Sequence, residues 1–299
     1  MDVLTGTLFT FSVLAIGAVL TMTLEHLMRR PAQEVGPAAT PSVERDVKLL
    51  REDRWLYPAG AVSALFGVAA AAVILPLGPD LVAQDIGVGA FYFIVVVDFV
   101  VLGVAIAGWG ANTRNAVDVY YRITAQLVSY VIPLGLAYVG AIMMARSLSL
   151  NTIVENQASI WYIVVQPIGF ALYIITGLMQ AYRAPFLEPF SSHLDHGVLS
   201  VVGGWQAFVW RLSLAGLLFV VAAMGATLYL GGWLGPWLPA PVWMLLKTFA
   251  LMALMLWLGR LVKPLTTAQM LKLSWRILTP VGLVNVLIVG GLILLGVGQ

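Results

Sequence analysis

Three ionisable residues stand inside or at the edge of long apolar runs, where a charge needs a partner, a water-filled cavity or a short route to the interface. Asp98 lies in the middle of Phe93-Ile94-Val95-Val96-Val97-Asp98-Phe99-Val100-Val101. Lys247 lies within Trp243-Met244-Leu245-Leu246-Lys247-Thr248-Phe249, and Glu25 closes the first apolar run. Their chemistry would be proton relay or ion passage. The plainer alternatives are snorkelling for Glu25 and Lys247 and an interhelical hydrogen bond for Asp98. A second cluster, His193-Leu194-Asp195-His196, has ligand types at spacings that one helical turn would bring together, with Glu188 nearby. Zinc sites need three or four ligands, so no metal is assigned, and the expected role is an interfacial loop whose imidazoles titrate near neutral pH. Because they can exchange protons, His193, Asp195 and His196 join Glu25, Asp98 and Lys247 as relay candidates.

The elements that must position these groups are spanning helices. The chain is 61% hydrophobic and 10% charged, against roughly 25% charged in a typical soluble domain. A spanning helix takes about 20 apolar residues to cross about 30 Å of hydrocarbon. Eight runs fit, at about 3–25, 57–78, 88–109, 124–146, 160–180, 207–230, 241–262 and 277–297, which makes the chain an all-α polytopic membrane protein forming one integral domain, residues 1–299. The first run starts with Asp2 rather than a basic cluster and exceeds the usual signal-peptide core, so it is expected to be a retained helix.

Fourteen of the sixteen Lys and Arg fall on one side of these runs. Basic residues stay cytoplasmic, so loops 26–56, 110–123, 181–206 and 263–276 are expected inside and both termini on the outer, periplasmic side of the inner membrane. Within the first inner loop, residues 43–55 alternate charged and apolar types at helical spacing, as an amphipathic helix on the lipid surface does. A net charge of +2 concentrated in these loops reads as topology rather than as a nucleic-acid surface. No cysteine is present, so the chain offers no thiol nucleophile or iron–sulfur ligand set. Gly203-Gly204 and Gly231-Gly232 lack a following GK[ST] and are no phosphate loops. Nor is there a nucleophile elbow.

Several stretches in collinear order carry a resemblance. They are Arg30-Pro31 with Val35-Gly36-Pro37, Lys48-Leu49-Leu50-Arg51-Glu52-Asp53, Leu75-Pro76-Leu77-Gly78-Pro79 and Asp85-Ile86-Gly87-Val88-Gly89. There follow Ala107-Gly108-Trp109-Gly110-Ala111-Asn112, Ala125-Gln126-Leu127-Val128-Ser129-Tyr130 and Gln166-Pro167-Ile168-Gly169-Phe170. The series closes with Arg183-Ala184-Pro185-Phe186, Leu246-Lys247-Thr248-Phe249 and Trp275-Arg276-Ile277-Leu278, with Pro280 and Asn285. Over nearly the whole chain this order resembles the H-type (NuoH-type) membrane subunit of NADH-quinone oxidoreductase, respiratory complex I. The resemblance implies a membrane quinone (ubiquinone or menaquinone) as substrate, and as partners lipid, a hydrophilic iron–sulfur arm and antiporter-like membrane subunits. It implies a quinone chamber between the first, sixth and seventh spans, with Arg29, Lys48, Arg51, Arg183, Phe186 and Glu188 against the quinone, and a link to the proton-pumping arm.

The chain departs from that family at its acids. Val131 follows the Ser-Tyr of the fourth span where the family has Glu, and Gln180 stands near another family Glu. Phe190, Ser192 and Leu194 replace an acidic run, Leu214 an acid of the sixth span, and Gly259, Pro264, Thr266 and Ala268 further charged positions. Val, Leu and Phe carry no exchangeable proton. The competing expectation is therefore a non-pumping membrane anchor of a complex I-like or hydrogenase-like redox assembly; a stand-alone transporter has no substrate motif to support it.

Overall fold

A computed structural model describes residues 3–27, 55–79, 81–110, 114–186 and 204–296. The expected surface helix at 43–55 lies outside the described residues except for Trp55. So do Arg29, Lys48, Arg51, Glu188, His193, Asp195 and His196.

Among the described residues the secondary structure is entirely helical. The helices are α1 (Val3–Leu27), α2 (Leu56–Val73), α3 (Gly89–Val97), α4 (Phe99–Gly110), α5 (Arg114–Ala145), α6 (Leu150–Glu155), α7 (Tyr162–Val165), α8 (Pro167–Gln180), α9 (Gly204–Tyr229), α10 (Ala240–Leu261), α11 (Thr267–Leu273) and α12 (Thr279–Leu294). Six helical segments are long and apolar enough to cross a membrane: Leu56–Val73, Gly89–Gly110, Tyr120–Ala145, Trp205–Tyr229, Ala240–Leu261 and Thr267–Leu294. Thr10–Glu25 and Pro167–Gln180 are shorter apolar helices.

Two expected loops are largely helix. Residues from Arg114 onward already belong to α5, and the stretch 263–276 turns helical at Thr267 and runs into α12 through a π-helical turn, Ser274–Leu278. The cause of the second is local. The Thr266 hydroxyl accepts from the Gln269 backbone N–H while the Gln269 side chain accepts from the Thr266 N–H, a capping box that satisfies two donors otherwise orphaned at a helix start. Thr-x-x-Gln is the sequence signal for that start.

In lipid, helices associate through close packing and hydrogen bonds rather than by escaping water, so contacts need small residues. α2 and α4 show this most plainly. A Cβ at Gly60 would strike the Gly103 carbonyl oxygen and one at Gly103 the Gly60 carbonyl oxygen, while Gly67 meets Phe99 and Gly110 meets Tyr57. α9 is the central post, 72% buried over its span against 22% for the α11–α12 segment, which faces outward over most of its surface. α1 leans on α9 where Gly17 admits the Phe219 ring. The Thr21 hydroxyl donates to the Gly17 carbonyl at 2.7 Å, so this polar side chain is satisfied within the buried seam.

Two apolar helical stretches are interrupted. The Gly89–Gly110 segment has a turn residue at Asp98 between α3 and α4, and Gln166, with φ of −133° and ψ of 65°, separates α7 from α8. At the second break Pro167 has no N–H to return to the preceding turn. Non-helical backbone at membrane depth is tolerated where it is buried in protein or lines a cavity, and both breaks carry polar side chains.

Candidate functional site

The first break places Asp98. Its backbone carbonyl accepts from the Leu102 N–H at 3.1 Å, starting α4, while its own N–H on the Val96 carbonyl closes α3. One carboxylate oxygen accepts from the Tyr130 hydroxyl of α5 at 3.1 Å. Tyr130 is fully buried, and the buried Tyr182 phenol at the end of α8 lies near enough to interact electrostatically with both Tyr130 and Asp98. Asp98 is thus hydrogen-bonded to one buried phenol, with a second close by.

Tyr182 is held unusually. α8 closes with the Tyr182 N–H on the Met179 carbonyl and the Arg183 N–H on the Leu178 carbonyl, and Tyr182 has φ of 51°. That left-handed position normally goes to Gly, and an occupant with a side chain carries strain of about 1–3 kcal/mol. What it gains here is a phenol placed in the core; burial holds that phenol well above its ordinary pKa, so it acts as a neutral donor and acceptor.

The next residue, Arg183, turns toward α1. Its guanidinium Nη2 lies 2.7 Å from a Glu25 carboxylate oxygen and donates at 3.0 Å to the Leu214 carbonyl of α9. Both side chains are mostly shielded, at 15% and 27% exposure. Burial pulls the Arg183 pKa down and the Glu25 charge pushes it back up, with burial the larger. Phe186, 2% exposed, ends the same turn, and the Gln126 side chain of α5 donates to the Met179 carbonyl at 2.7 Å and the Phe186 carbonyl at 3.4 Å. Gly259 of α10 packs directly on the Ala184 carbonyl, so no side chain fits there without moving the turn. Glu25, Arg183 and Phe186 therefore share one end of the bundle, with Tyr182 next to Arg183 in the chain.

Lys247 is elsewhere. Its ammonium donates to the Leu230 and Leu234 carbonyls, each at 2.6 Å, and stands 4.2 Å from the Trp161 ring centre and 5.7 Å from that of Trp243. Beside it, Gln157 donates to the Ile153 and Thr227 carbonyls and accepts from the Tyr162 and Gly231 N–H groups. Lys247 thus ties down the 230–235 loop at the opposite end from Arg183. Lys247→Met should leave those two carbonyls without a donor, at about 1–3 kcal/mol each at most, and the measurable result is a melting temperature lower by several degrees.

A narrow apolar cleft lies at this Lys247 end, between α1, α2, α9 and α10, lined by Thr10, Val13, Leu75, Phe219, Leu245 and Thr248. It involves the first, sixth and seventh spans, as the resemblance implies for a chamber, but sits far from Arg183. Among the described residues no group of three or more His, Asp or Glu could hold a metal ion.

Buried tyrosines add to the site, and a search of the sequence for charges passes over them. Tyr138, Tyr173 and Tyr229 form a buried stack, with ring centres 5.8 Å and 5.7 Å apart. Tyr173 donates to the Val221 carbonyl at 2.6 Å and Tyr229 to the Ala137 carbonyl at 2.8 Å. The sequence signal for Tyr130 and Tyr138 is two phenols about two turns apart on one apolar helix.

A family model described as NADH dehydrogenase matches residues 43–290. The first of the H-type subunits of NADH-quinone oxidoreductase from Rhodopseudomonas palustris (strain BisB5) is 34% identical over 239 residues, covering 80% of this chain and 75% of that protein. Its counterpart from Geobacter metallireducens is 32% identical over 313 residues, covering 96% and 95%. The H-type subunit from Anoxybacillus flavithermus is 36% identical over 239 residues, covering 78% and 71%. In fold, the chain resembles one from the membrane-bound sulfane sulfur reductase, an archaeal respiratory membrane complex, with a TM-score of 0.82 at 19% identity over 97% of this chain and 100% of that one.

Proposed function

The chain belongs to the NADH dehydrogenase family as a multi-pass membrane subunit of the H type, and from that membership we infer that it serves NADH-quinone oxidoreductase by holding the quinone at its Arg183 end and passing protons inward from there. The observations that carry this reading are the shielded Glu25–Arg183 ion pair at one end of the bundle and the hydrogen bond from Tyr130 to Asp98. Tyr182, the residue before Arg183, is a second buried phenol close to Tyr130 and Asp98. A quinone carbonyl gains electron density on reduction and calls for hydrogen-bond donors and, at the end, protons. Arg183 supplies donors, Phe186 an apolar face, and Arg29, Lys48, Arg51 and Glu188 belong to segments that the family resemblance brings to the same rim. His193, Asp195 and His196 extend the set of proton-exchanging groups there.

In this reading the chain crosses the membrane eight times. α1 and the α7–α8 pair complete the six longer helices, both termini lie outside, and the Arg183 end faces the cytoplasm, where the iron–sulfur arm docks. The chain itself provides no electron carrier; electrons reach the quinone from that arm. Antiporter-like subunits pack along the lipid-facing helices.

A second reading, a membrane anchor that does not pump, draws on particular residues. Leu214 is buried and gives its carbonyl to Arg183, and Gly259 is pressed against Ala184, so two positions that the resemblance marks as replaced charges are here built into apolar packing. This anchor would belong to a complex I-like or hydrogenase-like redox assembly, and the two readings differ in the fate of the proton.

Photolabelling tests the quinone's place. In membranes holding the whole complex, an azido-quinone competed by excess quinone should mark the 181–186 turn, the last turns of α1 or the first half of α9. Competed label confined to the Thr10, Phe219 and Thr248 cleft would overturn this placement.

A further inference from the structure

The second helix break gathers polar groups that neither the quinone nor the Asp98–Tyr130 pair uses. Gln166, 2% exposed, has both amide atoms without a hydrogen-bond partner, and Asn285 of α12, 1% exposed, has its amide nitrogen in the same condition. They aim at one place. The point where a Cβ would stand on Gly140 of α5 is 2.6 Å from Gln166 Oε1 and 2.9 Å from Asn285 Nδ2. The corresponding point on Gly169 of α8 is 2.9 Å from Asn285 Nδ2, 3.1 Å from the Tyr229 hydroxyl and 3.2 Å from Gln166 Oε1. Two glycines on facing helices thus leave room for two amides and a phenol, at the Lys247 end of the bundle.

We propose that Gln166, Asn285 and Tyr229 form an internal water-binding site, in which ordered water bridges the two amides where they pack against the bare backbone of Gly140 and Gly169. An unmade hydrogen bond on a buried polar group costs about 1–3 kcal/mol, and a buried water makes about three hydrogen bonds to such groups. Reassigning the amide does not remove the need, because both ends of Gln166 lack a partner. The mixture of donors and acceptors selects the ligand. Gln166 Nε2 and Asn285 Nδ2 donate, while Gln166 Oε1 and the second lone pair of Tyr229 accept, which suits a molecule that both donates and accepts. A metal cation would face two N–H donors and no carboxylate among these groups, at membrane depth where an unneutralised charge is expensive. The site stands independently of whether protons travel from Asp98, and its role is to satisfy the interrupted α7–α8 stretch where Pro167 withholds a backbone donor.

A cryo-EM map of the native complex at a resolution that shows water decides the point. The expected result is a density peak at about 2.7–3.2 Å from both amides, unchanged when sodium is replaced by choline. A direct Gln166–Asn285 contact with no peak between overturns the site. A peak with contacts near 2.4 Å that vanishes with sodium overturns the choice of ligand. Melting curves give an independent reading: Gln166→Leu and Asn285→Leu should each lower Tm, and the double variant should lose less than the two losses added, whereas strict additivity would mean the amides share nothing.

Discussion

Arg183→Met should reduce quinone reduction by the assembled complex at least about tenfold and destabilise the chain by about 3 kcal/mol, the larger part of the destabilisation arising from the charge left behind. Breaking a buried ion pair by removing one partner costs about 3–5 kcal/mol, and the partial exposure of Glu25 places this pair at the lower end. Two contacts go at once, the 2.7 Å pair with Glu25 and the 3.0 Å bond to the Leu214 carbonyl, and with them the tie between the end of α8, α1 and α9. The double variant Glu25→Gln with Arg183→Met separates structure from chemistry. It removes the stranded carboxylate, so Tm should recover by most of the loss. If Arg183 donates to the quinone, activity should stay low; if activity returns with stability, Arg183 only braces the turn and the quinone is held by other groups. Arg183→Lys is the finer probe, because an ammonium cannot serve Glu25 and the Leu214 carbonyl in the planar fork that guanidinium offers. It should keep most of the stability and lose more of the rate.

What made the helices legible was their length and apolarity, the physical requirements of the bilayer itself. The segment around Asp98 reads as one span because nothing in Val95-Val96-Val97-Asp98-Phe99 signals a stop; the break there follows from tertiary packing, with Gly67 receiving Phe99 and Tyr130 donating to the carboxylate. The break at Gln166-Pro167 had its signal in the proline. The pairing of Glu25 with Arg183 was beyond reach, since they lie at the ends of the first and fifth spans and only the three-dimensional order of helices brings them together. Lys247 looks the same in sequence as a relay lysine would. Its two carbonyl acceptors come from a loop whose path is set by Gly231 and Gly232 at positive φ, and periodicity contains no record of such a path. The replaced acids carry the opposite lesson. Gly259 reads as a lost charge in the sequence and as a contact with Ala184 in space, so its change belongs with the geometry of the 181–186 turn as much as with proton transfer.

Asp98→Asn should abolish most proton uptake coupled to quinone reduction, by about tenfold or more in initial rate, while assembly and uncoupled quinone reduction persist. The substitution is nearly isosteric and keeps an oxygen to accept from Tyr130, so the hydrogen bond at 3.1 Å and the start of α4 survive. It removes only the group that can lose and regain a proton. Tyr130→Phe cuts the same path one step later and leaves the carboxylate, which then loses its phenol donor. The two variants should therefore fail alike in pumping and differ in stability, Tyr130→Phe being the less stable because a half-buried carboxylate stays without its partner. Acid-quench fluorescence in sealed vesicles measures uptake, and quinone reduction with an uncoupler present measures the electron half. Since Val131, Gln180 and Leu214 offer no carboxylate to take over, Asp98 is the one carboxylate among the described residues that stands deep in a span and accepts a hydrogen bond from a buried phenol, Tyr130. A wild-type complex that reduces quinone with no proton translocation into the vesicle, beyond the two protons each quinol takes up, would decide for the anchor reading before any variant is made. Equal uptake in wild type and Asp98→Asn would keep the pump and take this carboxylate out of its path.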